Sequence, residues 1–167
     1  MSELQEFRAS KDEFFAHHPQ SPLTSEQRRA FRGLDYFDEN EDFQLEVRVE
    51  KFPEQKQVMI QTSTGQTQVY TRYGKFKFSV DGQEAELTLY SSDNGFFLPF
   101  ADSLAGEETY PAGRYLEPDP LPGDRFLVDF NMAYNPYCAY NEMWSCPLTP
   151  SENRLKVPIR AGEKMFH

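Results

Sequence analysis

The chain has 167 residues, the length of one domain, enough to bury about two-thirds of the surface that its unfolded form would expose. Aromatic residues make up 15% of the chain while its mean hydropathy is −0.72, a combination that favours a thin β core over a thick helical one. The 27 acidic and 17 basic residues leave a net charge of −10, which repels phosphate backbones and anionic lipids and argues against nucleic acid or a membrane as partners.

The beginning of the chain carries no recognisable targeting segment. Its first thirty residues contain no apolar run of seven or more and do not start with a basic cluster, so the sequence predicts neither a secretory signal nor a membrane span. The expected compartment is therefore the cytoplasm. There, Cys138 and Cys146 would be reduced thiols, although a short-loop disulfide would form if the protein were exported by another route.

Residues 1–33 are predicted to form a helical N-terminal segment. Apolar residues fall near helical spacing from Leu4 to Phe15, and the pattern ends before Pro19 because proline disfavours the helical conformation in the residue preceding it. Thr24 precedes Gln27 by three positions, which is the arrangement of a capping box. Two short helices are expected.

An antiparallel meander is predicted over residues 36–100. In FQLEVRVE, from position 43, apolar and polar residues alternate with a period of two, as they do in a half-buried strand. Further strands are predicted at 56–62, 67–73, 75–80, 83–90 and 96–100, and Asp81-Gly82 joins two of them by the strongest short hairpin signal.

Residues 101–167 are predicted to complete the sheet and to carry the functional site. Strands are expected at 125–130 and at 155–159, where Pro158 restricts the second to an edge. The fold class is therefore mainly β: an antiparallel partly closed barrel or sandwich, with two short N-terminal helices and a long irregular C-terminal segment. The barrel is slightly favoured. Irregular segments of this length in compact domains more often serve function than connection.

Several short motifs in this segment resemble a known family. They are Phe100-Ala101-Asp102, Gly106-Glu107-Glu108-Thr109-Tyr110, Gly113-Arg114-Tyr115, Asp129-Phe130-Asn131, Ala133-Tyr134-Asn135-Pro136-Tyr137-Cys138-Ala139-Tyr140, Cys146-Pro147, Pro150, Asn153-Arg154-Leu155 and Ala161-Gly162-Glu163-Lys164. Together they resemble the family of uncharacterised proteins filed as domain of unknown function 1684. Weaker similarity through Ser21-Pro22-Leu23 and Gly33-Leu34-Asp35-Tyr36-Phe37 extends the resemblance over nearly the whole chain. The resemblance implies no activity, cofactor or partner.

The end of the strand at 125–130 supplies the first candidate polar groups. Phe126, Val128 and Phe130 are predicted to face the core, so Asp129 and Asn131 share the other face. Arg114, in a separate predicted strand, is a bidentate partner for a carboxylate of Asp129, of Glu163 or of a ligand. The alternative is a buried ion pair with asparagine capping that only holds the loop in place.

Glu163 and Cys138 are the remaining candidates for chemistry. Gly162 allows a turn that directs the Glu163 carboxylate inward, whereas a surface Glu163–Lys164 pair is the alternative. Cys138 is either a nucleophile or a packed inert thiol. Seven residues separate it from Cys146, a spacing that does not match a zinc knuckle, so no metal is predicted.

Three functional hypotheses follow from these residues. The leading one is a β-barrel that binds a small polar ligand, with Asp129 and Glu163 beside the ligand-binding residues Arg114, Asn131, Tyr134, Asn135, Tyr137, Cys138 and Tyr140. The second is a hydrolase or lyase that uses Asp129 or Glu163 for acid/base catalysis. The third is a protein-interaction module anchored on Tyr137, Tyr140 and Trp144. The sequence does not identify a cofactor.

Overall fold

Two helices open the fold of the computed structural model, which describes residues 2–166. Helix α1 spans Glu3–His17 and ends before Pro19, as predicted. Helix α2 spans Ser25–Ala30, and the predicted capping box is present, with the backbone N–H of Gln27 donating to Thr24 Oγ1 at 3.1 Å. Within the described residues, neither helix is long and apolar enough to cross a bilayer.

Within residues 2–166, nine antiparallel strands form two sheets, which confirms the mainly β fold class. Strands β1, β9 and β8 make the smaller sheet, whereas β2, β4, β5, β6 and β7 follow one another in the larger sheet, with β3 also paired to β4. The sheets do not close into a complete barrel. The strands are β1 Gln44–Arg48, β2 Glu50–Lys51, β3 Gln57–Gln61, β4 Thr67–Val80, β5 Gln83–Ser92, β6 Gly95–Phe100, β7 Arg114–Leu116, β8 Asp119–Leu121 and β9 Arg125–Asp129.

Strand β4 joins two segments that were predicted to be separate. It runs unbroken over fourteen residues, and its register with β5 shifts between Arg72 and Gly74. A bulge of this kind bends a strand without ending it. A Cβ on Gly74 would lie 2.6 Å from the carbonyl oxygen of Glu50, so glycine is what allows β2 to pair with β4 here.

The main core lies between the inner faces of the two sheets. The predicted inward alternation is confirmed at Phe126, Val128 and Phe130, which are at most 2% exposed. They pack with side chains from the larger sheet, including Leu87 and Leu98. A second apolar cluster joins α1 to the irregular segment through Phe15, Leu23, Leu34 and Tyr140. This second cluster anchors α1 against the C-terminal part of the chain.

The prediction of a strand at 155–159 is wrong, although the predicted alternation of buried and exposed residues is present. Val157 and Ile159 are buried, yet the segment has no strand pairing over its length. Pro158 has no N–H, and the neighbouring backbone groups are bound by side chains: the N–H of Ile159 donates to Asp102, and its carbonyl accepts from Arg114. Leu155 and Val157 still hydrogen-bond the backbone of Ala101 and Ser103, but at Ile159 side chains take the place of a β ladder.

The irregular segment contains short 3-10 turns where the sequence predicted only loop. These turns lie at Phe130–Met132, Tyr137–Ala139 and Ser151–Asn153. The irregular segment also contains a short strand that the sequence did not predict, β8, which pairs with β9. Pro120 within β8 lies on the edge of the smaller sheet, a position where a missing N–H is tolerated.

Candidate functional site

A buried carboxylate lies where α1 meets the irregular segment. Gly162 has a φ of +79°, and the chain turns there so that Glu163 points inward and is only 2% exposed. Glu163 Oε1 accepts hydrogen bonds from Tyr140 Oη at 2.9 Å and from the backbone N–H of Asn135 at 3.1 Å. The predicted inward turn is therefore present, and a surface Glu/Lys pair is not.

Lys11 of α1 provides the positive charge opposite Glu163. Its ammonium forms an ion pair with Glu163 Oε2 and lies 5.1 Å from the centre of the Tyr134 ring and 5.6 Å from that of Phe15. Ring faces attract cations, so the two aromatic side chains add to the ion pair. Because a buried carboxylate is stable only when it is paired, α1 is an electrostatic part of the site.

Tyr140 completes this cluster as a neutral donor. Burial, together with the negative charge of Glu163, raises the pKa of the Tyr140 phenol above its ordinary value. Its ring packs edge-on against Phe15 at 5.1 Å and against Phe166 at 4.9 Å. The hydroxyl therefore keeps its proton and directs it at the carboxylate.

The side chain of Arg114 binds the backbone of the C-terminal segment. The guanidinium is 1% exposed and donates to the carbonyl oxygens of Ala161 at 2.5 Å, Glu163 at 3.0 Å and Ile159 at 2.9 Å. Burial lowers the pKa of Arg114 to about 10, even though nearby carboxylates oppose that change. The planar guanidinium carries several N–H donors in a fixed arrangement, so one side chain can bind all three carbonyl oxygens.

The acidic partner of Arg114 is Asp102, and neither predicted partner takes that place. Asp102 Oδ2 lies 3.8 Å from Arg114 Nη2 and accepts from the N–H of Ile159 at 2.7 Å, while its Oδ1 accepts from Thr109 Oγ1 at 2.7 Å. Arg114 contacts the carbonyl of Glu163 and not its carboxylate. Asp102 lies just beyond β6, which pairs directly with the strand of Arg114, so register decides the partner.

Asp129 and Asn131 form a capping pair at the end of β9. Asp129 Oδ1 accepts from the backbone N–H of Asn131 at 3.0 Å and from its Nδ2 at 2.9 Å. Asn131 Oδ1 also accepts from the backbone N–H of Asn40, and Asn131 Nδ2 donates to the Asn40 carbonyl, both at 2.9 Å. These bonds fix the 3-10 turn after β9 and match the loop-capping alternative for the two residues.

Three adjoining cavities beside α1 form what we call the α1 cleft, marked by Phe7, Asp129, Met132 and Tyr134. Their volumes are about 450, 320 and 410 Å³. Phe7 lines all three, Asp129 and Met132 line the first two, and Tyr134 lines the second and third. The shared lining residues make the three cavities immediate neighbours around Phe7.

The two ends of the α1 cleft differ in chemistry. The first cavity is lined by the acidic residues Glu3, Glu39, Glu41 and Asp129. The third is lined mainly by the rings of Phe7, Phe14, Phe15, Tyr134 and Tyr137, with Lys11 beside them. Because Lys11 is already paired with Glu163, it does not neutralise the acidic end.

The predicted site residues fall into three groups. Asp129, Asn131, Tyr134 and Tyr137 line the α1 cleft. Arg114, Asn135, Tyr140 and Glu163 are buried and joined by hydrogen bonds around the C-terminal segment. Cys138 lies apart from both groups, with its sulfur 3.6 Å from Tyr110 Oη. The structure therefore separates groups that the sequence had assigned to one pocket.

Lys11 and Phe7 are the site residues that sequence reasoning missed. Phe7, Lys11 and Phe14 follow one another at spacings of four and three, which places them on one face of α1. The spacing of the aromatic residues predicts the helix, but it predicts no role for the lysine within it. A cation between aromatic residues on one helix face was the available signal.

The three rings predicted to anchor a protein partner do not form one open surface. Tyr140 is 3% exposed, whereas Tyr137 is 37% exposed. Trp144 is partly buried, packs edge-on against Tyr137 at 5.3 Å and donates from Nε1 to the carbonyl of Pro22 at 3.3 Å. Most of this aromatic area is used inside the protein.

These features define an acidic, mainly β protein with two open antiparallel sheets and a helix that covers a buried ion pair. The chain belongs to the family described as "Protein of unknown function (DUF1684)", whose model matches residues 29–164. A comparison with curated proteins found no match.

A solved structure shares this fold. It is the solution NMR structure of an uncharacterised protein from Haloarcula marismortui, 38% identical, with a TM-score of 0.72 over 96% of this chain and 91% of that one. The family model matches only residues that follow α1. The structural match covers 96% of the chain, so the residues that it leaves out are fewer than the fifteen residues of α1. The helix that supplies Lys11 is thus at least partly included in the shared fold.

Proposed function

We propose that this protein binds a small, polar, positively charged ligand in the α1 cleft. The observation that carries the proposal is the group of three neighbouring cavities beside α1, with Asp129, Asn131 and Tyr134 among their lining residues. Ligand sites in proteins are concave and combine apolar walls with a few convergent polar groups. The α1 cleft has both components.

The charge of the ligand follows from the lining of the cleft. Glu3, Glu39, Glu41 and Asp129 lie at one end, and the net charge of the protein is −10. Such a surface attracts cations and repels anions. The aromatic end would hold an apolar portion or a second cationic group, since the faces of Phe and Tyr rings accept both.

A matched ligand panel tests the proposal. Choline, putrescine and arginine would be compared with succinate and inorganic phosphate, using NMR chemical-shift changes of the backbone amides. The expected result is a saturable response to at least one cation, centred on Phe7, Met132 and Tyr134, with none from the anions. Uniform weak shifts over the whole surface, or no shifts, would reject the proposal.

Asp129→Asn provides the sharpest variant for this test. It removes one carboxylate charge from the cleft while keeping the oxygen that accepts hydrogen bonds from Asn131. Asp81→Asn is the matched control, because Asp81 lies in the β4–β5 turn with a φ of 51°, which asparagine also tolerates. Weaker binding is expected for Asp129→Asn alone.

Acid/base catalysis by Asp129 or Glu163 remains a prediction. Both oxygens of Glu163 are engaged, one by Tyr140 and Asn135 and the other by Lys11. Turnover at Glu163 would require Lys11 to move away first.

A further inference from the structure

The two cysteines lie next to each other in the folded chain. The backbone N–H of Cys138 donates to Cys146 Sγ at 3.3 Å. Both cysteines are free thiols, and they are 9% and 8% exposed. The fold therefore places the Cys146 sulfur against the backbone of Cys138.

The segment between the cysteines is held to a neighbouring hairpin turn. Ser63 donates its backbone N–H to the carbonyl of Cys146 at 2.9 Å and its hydroxyl to the carbonyl of Trp144 at 3.0 Å. The N–H of Cys146 in turn donates to Ser63 Oγ at 3.2 Å. By contrast, Met143 is 68% exposed, so the cysteines close the base of a loop that reaches solvent.

The surroundings of Cys138 favour its ionised form. The hydrogen bond from Cys146 outweighs burial and, with another from Tyr110, lowers the pKa of Cys138 to about 6. The pKa of Cys146 is raised, chiefly by its hydrogen bond to Cys138 and by burial. Since the thiolate is the reactive form of cysteine, the pair contains one nucleophile and one protonated neighbour.

We propose that Cys138 and Cys146 form a thiol oxidation site that reacts with hydrogen peroxide and closes to a reversible intramolecular disulfide. The inference goes beyond the proposed ligand binding and does not depend on it. It rests on the hydrogen bond from the Cys138 backbone N–H to Cys146 Sγ, the hydroxyl of Tyr110 beside Cys138 Sγ and the solvent-facing loop that the cysteines close.

The reaction balances in two steps. The Cys138 thiolate attacks one peroxide oxygen, the O–O bond breaks, and hydroxide leaves and takes up a proton to give water and a sulfenic acid. The Cys146 sulfur then attacks Cys138 Sγ, the S–O bond breaks, and a second water leaves. Two thiols and one peroxide thus become one disulfide and two waters, with sulfur oxidised and peroxide reduced.

The first step prepares the second electrostatically. While Cys138 is a thiolate, its negative charge helps to hold the proton on Cys146. Conversion of Cys138 to a neutral sulfenic acid removes that charge and therefore lowers the pKa of Cys146. Cys146 then ionises more readily at the stage when its thiolate is needed to attack Cys138 Sγ. The pair therefore has a defined order, with Cys138 oxidised first and Cys146 resolving it.

The test uses the whole reduced protein, freed of reductant and treated with hydrogen peroxide near neutral pH. Intact mass is expected to fall by about 2 Da, the mass of the two hydrogens lost, and dithiothreitol should restore it. Peptide mapping without reductant should join the segments that carry Cys138 and Cys146. A disulfide-linked dimer, or thiols that react only after unfolding in urea, would overturn the proposal.

Single variants test the order of the two steps. Cys146→Ser is expected to accumulate a sulfenic acid at Cys138 that dimedone traps, whereas Cys138→Ser should give no such adduct at Cys146. The opposite labelling would contradict the assignment of Cys138 as the attacking sulfur. Circular dichroism checks that both variants are folded. The mass experiment on the wild-type protein tests disulfide formation independently of both variants.

Discussion

Tyr140 Oη donates a hydrogen bond to Glu163 Oε1 at 2.9 Å, joining the irregular segment to the last described turn of the chain. Lys11 approaches the same carboxylate from α1. Three distant parts of the sequence thus meet at one buried charge. Stability and ligand binding are expected to be linked here, because Lys11 and Tyr134, which pack together, also line the α1 cleft.

Glu163→Ala is expected to destabilise the protein by about 3 kcal/mol, since it leaves the charge of Lys11 and the hydroxyl of Tyr140 without their buried partner. The free energy of unfolding would be measured by urea denaturation. Glu142→Ala, at an exposed position, should change it by less than about 0.5 kcal/mol. Equal effects of the two substitutions would show that the ion pair contributes no net stability.

Arg114→Lys is expected to cost about 2 kcal/mol despite keeping the charge. A lysine ammonium cannot reproduce the planar fork that serves the carbonyls of Ile159, Ala161 and Glu163, so at least one buried acceptor loses its donor. Arg125→Lys, at the exposed first residue of β9, is the matched control and should have little effect, because ion pairs between exposed side chains contribute little stability. Thermal and urea unfolding of both variants would check this prediction. An unchanged free energy of unfolding for Arg114→Lys would contradict it.

Gly162→Ala is expected to be more harmful than Gly123→Ala. Both glycines have a φ of +79°, so backbone strain of about 1 kcal/mol is common to the two substitutions. A Cβ at Gly162 would lie 2.7 Å from the carbonyl oxygen of Ala133, whereas nothing lies within 4 Å at Gly123. The clash should add about 2 kcal/mol, measured as the difference between the two urea unfolding curves.

Alkylation of Cys138 is expected to become half-maximal near pH 6, because its pKa is lowered to about 6. The rate would be followed with iodoacetamide and mass spectrometry from pH 5 to pH 9. Cys146→Ala should move the midpoint upward, since it removes the largest stabilising hydrogen bond on the thiolate. A wild-type midpoint near 9, the ordinary value for this group, would contradict the prediction.

The same change in pKa has a defined effect on folding stability. A group whose pKa is lower in the folded protein stabilises the fold fully above its unfolded pKa and loses that contribution as the pH falls. The contribution of Cys138 should therefore be present above pH 9 and should disappear as the pH falls towards 6. In Cys138→Ser this part of the pH dependence should be absent.

The sequence by itself determined the features that depend on local periodicity. Alternation identified the inward residues of β9, the Asp81-Gly82 pair identified the turn between β4 and β5, and Thr24 with Gln27 identified the start of α2. These succeed because side-chain direction and turn geometry repeat over a few residues. The inward turn at Gly162 belongs to the same class, because it depends on one local backbone angle.

Only the tertiary structure decided which polar groups meet. Asp102 took the place expected for Asp129 or Glu163 beside Arg114, and Lys11 came from a distant helix to pair with Glu163. Periodicity carries no information on contacts between elements far apart in the chain, because these depend on strand register and helix packing. The segment at 155–159 shows the consequence. Its alternation was right, but the side chains of Asp102 and Arg114 bind the backbone of Ile159, which a strand would have paired with another strand.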